Sequence, residues 1–321
     1  MKKLVLGLAT LALFAAAPVL AQTKLKWAHV YETSEPYHTE SVWAAEEIKK
    51  RTNGKFDITV HPASSLGKET DLNQGLTLGS IDMIISGPSF AARNYPRLGI
   101  AYYPFIFRDG DHLIAYSKSP LFAEMTEEYR KKTGIQLLAY TYYGARQTTS
   151  NRQFKDCAGM KNLKIRVPDV PLYMATPKAC GANPTPIAFA EVYLALQNGT
   201  VEAQENPLTT IEAKKFYEVQ KHIMMTSHIV DGLVTQVAPH VWTKLTDDDK
   251  KIFTEVARTA ADRATAKIKS RENELADEFR KKGLGVHDVD RKSFQEAVLK
   301  NFTLESQNFT KADFDAIQAI K

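Results

Sequence analysis

Apolar and polar residues alternate along Lys24-Leu25-Lys26-Trp27-Ala28-His29-Val30, the pattern of a strand. Tyr31 to Pro36 reads as a polar loop, and Tyr37 to Arg51 as an amphipathic helix ended by Thr52-Asn53-Gly54. Lys55 to Pro62 is a second strand, with Phe56, Ile58 and Val60 on one side. Ser64-Ser65-Leu66-Gly67 turns the chain into a helix that stops at Gly79. Ile81 to Ile85 is almost wholly apolar, as a strand covered on both faces should be. It runs into Ser86-Gly87-Pro88-Ser89, a loop at the ligand edge of a sheet.

The same grammar returns further on. Leu163, Ile165 and Val167 alternate with Lys164 and Arg166 until Pro168 stops the strand. A helix-like stretch covers Leu172 to Ala179, a strand starts near Ala182, and a second helix, Phe189 to Gln197, closes at Asn198-Gly199. Val201 to Gln204 is another strand, halted by Asn206-Pro207. Both halves therefore predict β-α-β-α-β units, and the fold class is α/β. Between them, a helix over Glu124 to Lys132 and a strand over Ile135 to Tyr143 lead into Gly144-Ala145-Arg146-Gln147-Thr148-Thr149, a hinge candidate. The aromatic run Tyr102 to Phe107 reads as core or inter-lobe packing rather than a binding platform. Ile229 to Ala238 is a strand returning toward the first lobe.

Thr246-Asp247-Asp248-Asp249 caps a helix and puts acids in its first turn. No Pro or Gly follows until Gly283, so one helix of about 37 residues and about 55 Å is expected, long enough to span two lobes. A break near Ser270 is the alternative. A short strand over Leu284 to Val289 and helices around Phe294 to Lys300 and Ala312 to Ile320 close the chain.

Composition narrows the class. Lys2 and Lys3, the apolar Leu4 to Ala17 and the small residues of Val19-Leu20-Ala21 form a secretory signal peptide, cleaved after Ala21. The mature chain is expected to be exported to the periplasm. Formal net charge is +5, and +3 without Lys2 and Lys3. The basic residues are interspersed with acids, so nucleic acid is not an expected partner. Cys157 and Cys180 precede neighbouring strands of a β-α-β unit; either a disulfide or two buried thiols fits.

Catalytic patterns are missing. There is no Gly-x-Ser-x-Gly elbow, no His-Glu-x-x-His and no Walker loop. The eight histidines are scattered, with no pair at i, i+4 on a helix. His222 and His228 read as packing or pocket-lining residues. No metal, no cofactor and no enzyme activity is expected. What remains is binding chemistry. Arg166 and Asn206 fall at strand ends, and a guanidinium there either holds a carboxylate through two parallel hydrogen bonds or is an ordinary surface arginine.

The ordered runs Gly144-Ala145-Arg146-Gln147-Thr148-Thr149, Leu163-Lys164-Ile165-Arg166-Val167-Pro168, Gly181-Ala182-Asn183-Pro184-Thr185-Pro186 and Gln204-Glu205-Asn206-Pro207 resemble the solute receptors of tripartite ATP-independent periplasmic (TRAP) transporters, the DctP family. From about Gly144 to His228 the likeness is to sialic-acid-binding members. The resemblance covers essentially the whole mature chain. It implies a two-lobed, type II-like periplasmic-binding-protein fold with an inter-lobe cleft and a long helix spanning both lobes. Lobe 1 would be residues 22–143 plus 232–271, and lobe 2 residues 144–231 plus 272–321. It also implies that Arg166 pairs with a ligand carboxylate, that Arg146 supports the same carboxylate, that Asn206 adds a hydrogen bond and that Phe189 packs on the ligand. Glu69 matches an acidic position near ligand hydroxyls.

The first lobe departs from the sialic-acid pattern. Ser86-Gly87-Pro88-Ser89-Phe90 stands where an acidic-then-basic contact run is expected. Ser86, His29, Tyr31 and Asp169 complete the candidate site. The expected ligand is a sugar acid smaller than sialic acid, a hexuronate or aldonate, delivered by a monomeric receptor to the small and large membrane permease subunits. A dicarboxylate or keto or aromatic acid is the alternative ligand, and sensing for a membrane signalling protein the alternative role.

Overall fold

The computed structural model describes residues 22–321, so the signal-peptide reading lies outside the described residues. Ten strands are present among the described residues: β1 (Thr23–Ala28), β2 (Phe56–His61), β3 (Met83–Ser86), β4 (Gln136–Ser150), β5 (Lys164–Val167), β6 (Asn183–Pro186), β7 (Ala203–Pro207), β8 (His222–Met224), β9 (Val230–Val237) and β10 (Gly285–His287). Their order is β2-β1-β3-β9-β4-β7-β5-β6, with β8 joining β4 to β10. β1, β2 and β3 are parallel, as are β5, β6 and β7. Those are the two β-α-β-α-β units expected from the sequence.

β4 makes the two halves one molecule. Residues 136–145 pair antiparallel with β9, and residues 146–150 with β7. The strand read as ending at Tyr143 therefore continues through Arg146 to Ser150. Gly144 lies at the crossing with φ near 126°. A Cβ there would meet Pro207 Cβ at 2.6 Å and Glu272 Oε1 at 2.8 Å, so residue 144 needs both the backbone freedom and the space of glycine. β7 likewise runs on through Asn206 and Pro207 instead of stopping before them. Proline is tolerated as the last strand residue, where its missing N–H breaks little of the ladder.

The long helix is continuous over Asp247–Lys281. Thr246 and Asp249 form a reciprocal capping box. The proposed break at Ser270 is absent, since serine inside a helix neither clashes nor removes a donor. Phe253 packs edge-on against Phe56 in the first half, and Phe279 lies 5.8 Å from Tyr217 in the second. Between them Glu272 accepts hydrogen bonds from Ala145 N at 2.8 Å and Tyr142 Oη at 2.7 Å. The helix thus spans both lobes and is fastened to the crossover strand.

Smaller differences are local. Leu172 to Ala179 is a 3-10 turn, Pro171–Met174, followed by one short helix, Ala175–Ala179, because Pro177 limits its growth. The helix read from Glu124 begins at Pro120, capped by Ser119. Cys157 and Cys180 form a disulfide at the base of β5 and β6, Cα to Cα 4.9 Å. No helix among the described residues is long and apolar enough to cross a membrane.

Candidate functional site

A cavity of about 400 Å³ opens between the two halves of the sheet. Its walls come from the ends of β1, β3, β5 and β7, from β4 and β9, and from the first turns of the helices that follow. Of the sequence-named residues, Arg166, Arg146, Asn206, Phe189, Glu69, Tyr31 and Asp169 line it. Ser86 and His29 do not; each holds a lining residue from behind.

Arg166 sits on β5, between Thr185 of β6 and Gln204 of β7. Its alternation places it opposite the apolar Ile165 and Val167 faces, and the side chain is only 2% exposed. Nε donates to the Ile187 carbonyl at 2.9 Å. Nη1 is buried and has no acceptor. Burial pushes the guanidinium down to about 10, and the nearby Arg146 charge acts the same way against the pull of Glu205. It remains a cation at neutral pH. A buried cation without a counter-charge is costly, and a carboxylate in the cavity would supply one. The Phe189 ring lies 5.9 Å from this guanidinium.

Arg146 is in a different situation. Nε and Nη2 both donate to the Glu205 carboxylate, Nη2 to Oε1 at 2.8 Å. Nη1 donates to Asp231 Oδ2 at 2.8 Å, and Nη2 also reaches Asn206 Oδ1 at 3.1 Å. The guanidinium stacks 4.8 Å over the Tyr173 ring. Although burial opposes ionisation, the Arg146 charge holds the Glu205 carboxyl below its ordinary range. His228 Nε2 adds a contact to Glu205 at 3.2 Å. Burial raises Asp231 despite Arg146. Glu205 and Asp231 thus pair directly with Arg146, while among the described residues Arg166 forms no ion pair and feels Glu205 only from a distance.

Asn206 accepts from Arg146 and donates from Nδ2 to Gln204 Oε1 at 2.6 Å. Glu69 opens the helix Glu69–Leu78 on the far side. Its Oε1 accepts from Ser86 Oγ at 2.8 Å and from Gly87 N at 3.0 Å; among the described residues nothing donates to Oε2. Burial raises its carboxyl to about 7, which the Gly87 and Ser86 donors only partly offset. His29 Nδ1 accepts from Tyr31 N at 3.2 Å, and its Nε2 meets His38 Nδ1 at 3.2 Å. Burial, with the His38 charge, lowers it to about 3, so it is a neutral prop for Tyr31. Tyr31 in turn faces Phe189, ring centroids 6.2 Å apart.

Two ion pairs bridge the mouth. Lys214 Nζ lies 2.6 Å from Glu32 Oε1 and 5.2 Å from the Phe189 centroid. Arg93 Nη2 donates to the Asp169 carbonyl and approaches its Oδ2 at 3.4 Å. Sequence reasoning missed Tyr143, Tyr173 and Asp231 as lining residues. For Asp231 a signal existed: an acid inside the apolar run from Ile229 to Ala238. The aromatic run behaves as packing. Tyr102 Oη donates to Asp231 and to Gly232 O, and its ring meets Tyr173 edge-on at 5.3 Å behind the cavity wall.

Comparison with known proteins fits this geometry. The model of bacterial extracellular solute-binding proteins, family 7 (DctP), matches residues 27–305. The sialic acid-binding periplasmic protein of Vibrio cholerae is 35% identical over 291 residues, 91% of each chain. A TRAP periplasmic solute-binding protein from Polaromonas, solved with D-erythronate, superimposes with a TM-score of 0.89 at 29% identity, covering 94% of this chain and 99% of its own. One from Roseobacter denitrificans with L-galactonate gives 0.86 at 30% identity, covering 93% and 98%. These relatives are binding proteins, not enzymes, and their fold is the two-lobed one. The chain belongs to the bacterial extracellular solute-binding protein family 7, DctP, the periplasmic solute receptors of TRAP transporters.

Proposed function

We propose that this receptor captures a hydroxylated monocarboxylate, a sugar acid such as an aldonate or hexuronate, and hands it to the membrane permease. The observation that carries the reading is Arg166, a buried guanidinium whose Nη1 has no hydrogen-bond partner among the described residues. A ligand carboxylate docks there by paired, charge-assisted hydrogen bonds. Arg146 acts through Glu205, Asp231 and Asn206 to fix the floor beside it. Glu69 is an acceptor for distal hydroxyls, and its charge repels a second ligand carboxylate. Phe189 and Tyr31 cover an apolar edge of the carbon chain. D-erythronate and L-galactonate in the solved relatives support the ligand class.

The receptor works by closure of lobe 1, residues 22–143 plus 232–271, on lobe 2, residues 144–231 plus 272–321, with β4 near Gly144 as a hinge. Export with cleavage after Ala21 and a monomeric state complete the reading. Mass spectrometry of the secreted chain and light scattering test those two points. The ligand class is tested by a thermal-shift screen of aldonates, hexuronates, dicarboxylates and neutral sugars. Stabilisation by sugar acids supports it. Stabilisation by neutral sugars alone, or by dicarboxylates in preference to sugar acids at neutral pH, defeats it.

A further inference from the structure

The last strand pairing of the chain brings two histidines to one gap. β10 lies parallel to β8, with Gly285 opposite His222 and His287 opposite Met224. His222 Nδ1 and His287 Nε2 are 3.1 Å apart, with ring centroids at 5.1 Å. A methyl carbon on residue 285 would lie 2.4 Å from His287 Nε2 and 2.6 Å from His222 Nδ1. A side chain there would have to push one of the two ring ends aside. Gly285 is not among the residues with positive φ, so what a side chain would meet here is the two rings and not a backbone restriction. Both imidazole nitrogens border the space it leaves.

That spacing suits a shared ion. Two imidazole nitrogens each about 2.0 Å from one zinc ion sit about 3.3 Å apart at the tetrahedral angle. The Gln153 amide stands 3.3 Å from His287 Nδ1, on the other edge of the ring. Turned so that its oxygen accepts from Nδ1–H, it fixes the tautomer that leaves Nε2 unprotonated. Both rings are partly exposed, and neither lines the cleft. Among the described residues no third His, Cys, Asp or Glu completes a group, so an ion held here would take its remaining ligands from solvent.

We infer that the β8–β10 edge binds one divalent transition-metal ion of the zinc or copper class through His222 Nδ1 and His287 Nε2. Imidazole is the ligand such ions take readily. The bound ion ties β8 to the strand that follows the long helix and stands apart from the carboxylate site.

The test uses tag-free protein titrated with Zn²⁺, and separately with Cu²⁺, in competition with a chromogenic chelator. One ion per chain is expected, with affinity at least about tenfold lower in His222→Gln, His287→Gln and Gly285→Ala, and with sugar-acid binding unchanged. Equal metal affinity in the wild type and any of these variants overturns the assignment. So does failure to saturate with one ion. Histidine ring proton signals of the wild type give a readout free of folding effects. Zn²⁺ should shift or broaden two histidines and leave the others in place; no selective effect means the pair is only a hydrogen bond, and the proposal fails.

Discussion

Arg166 donates through Nε to the Ile187 carbonyl at 2.9 Å, which aims the rest of the guanidinium away from that wall. Arg166→Lys keeps a charge but loses the planar fork. Sugar-acid affinity should fall about 10- to 100-fold, about 1.4 to 2.7 kcal/mol, by calorimetric titration. Arg166→Ala should abolish measurable binding. In the ligand-free protein, Arg166→Met should raise the melting temperature, because an unpaired buried charge is gone. An Arg166→Ala affinity within a few-fold of wild type would place the anchor elsewhere.

Glu69 should make both stability and selectivity depend on pH. Its carboxyl keeps a proton up to about 7 in the folded chain, against an ordinary 4.5. Between those values the folded state binds the extra proton, so stability falls as pH rises through the window. Glu35, raised to about 7 by burial, adds the same slope. Glu69→Gln should therefore flatten part of the decline, measured as melting temperature against pH. Neutral Glu69 also stops repelling a second carboxylate. Succinate should bind more tightly near about pH 6 than about pH 8, and Glu69→Gln should remove that difference.

Lys214 and Glu32 should set ligand residence time. Their contact at 2.6 Å joins the two sides of the mouth, and both side chains are partly exposed. Exposed pairs contribute about 0.5 to 1 kcal/mol and are screened by salt. Lys214→Ala or Glu32→Ala should speed ligand dissociation about two- to fivefold in stopped-flow measurements, with the effect shrinking at high salt. A double variant that is additive would show that the two residues do not couple.

Replacing Cys157 and Cys180 by serine should lower stability without touching affinity. The bridge closes a sequence separation of 23 residues, and neither cysteine lines the cavity. A loop of that size stabilises by about 3 kcal/mol in the chain-entropy model. Denaturant unfolding should show a loss of that order, with ligand binding by the folded protein unchanged.

Much of this was legible in the chain. Alternating and continuous apolar runs located nine of the strands, although β4 runs well past the Tyr143 end, and the missing Gly and Pro over Asp247–Lys281 marked the long helix. Arg166 was legible as a candidate through the resemblance of its Leu163–Pro168 run to the family, whereas its place at a strand end fitted an ordinary surface arginine equally well. Periodicity reports which face a side chain takes, and local breakers report where an element stops. Neither depends on distant partners.

The two arginines mark where this ends. In the sequence Arg146 stands in the hinge candidate after Tyr143 and Arg166 near the end of its strand, and nothing local tells their charges apart. Register decides between them. Arg146 pairs with Pro207, which sets it on the face of Glu205, while β9 brings Asp231 from 85 residues away. Arg166 pairs with Gln204 and Thr185 and forms no ion pair among the described residues. His29 and Ser86 were read from the sequence as ligand-binding residues, yet the fold sets both behind the cavity wall, where they contact Tyr31 and Glu69. The sequence alone determined most of the elements and singled out Arg166 as a candidate, since local chemistry suffices for those. Only the tertiary structure decided which charges cancel and which stay free for a ligand, because Coulombic pairing depends on distance in space, and distance in space is set by strand register.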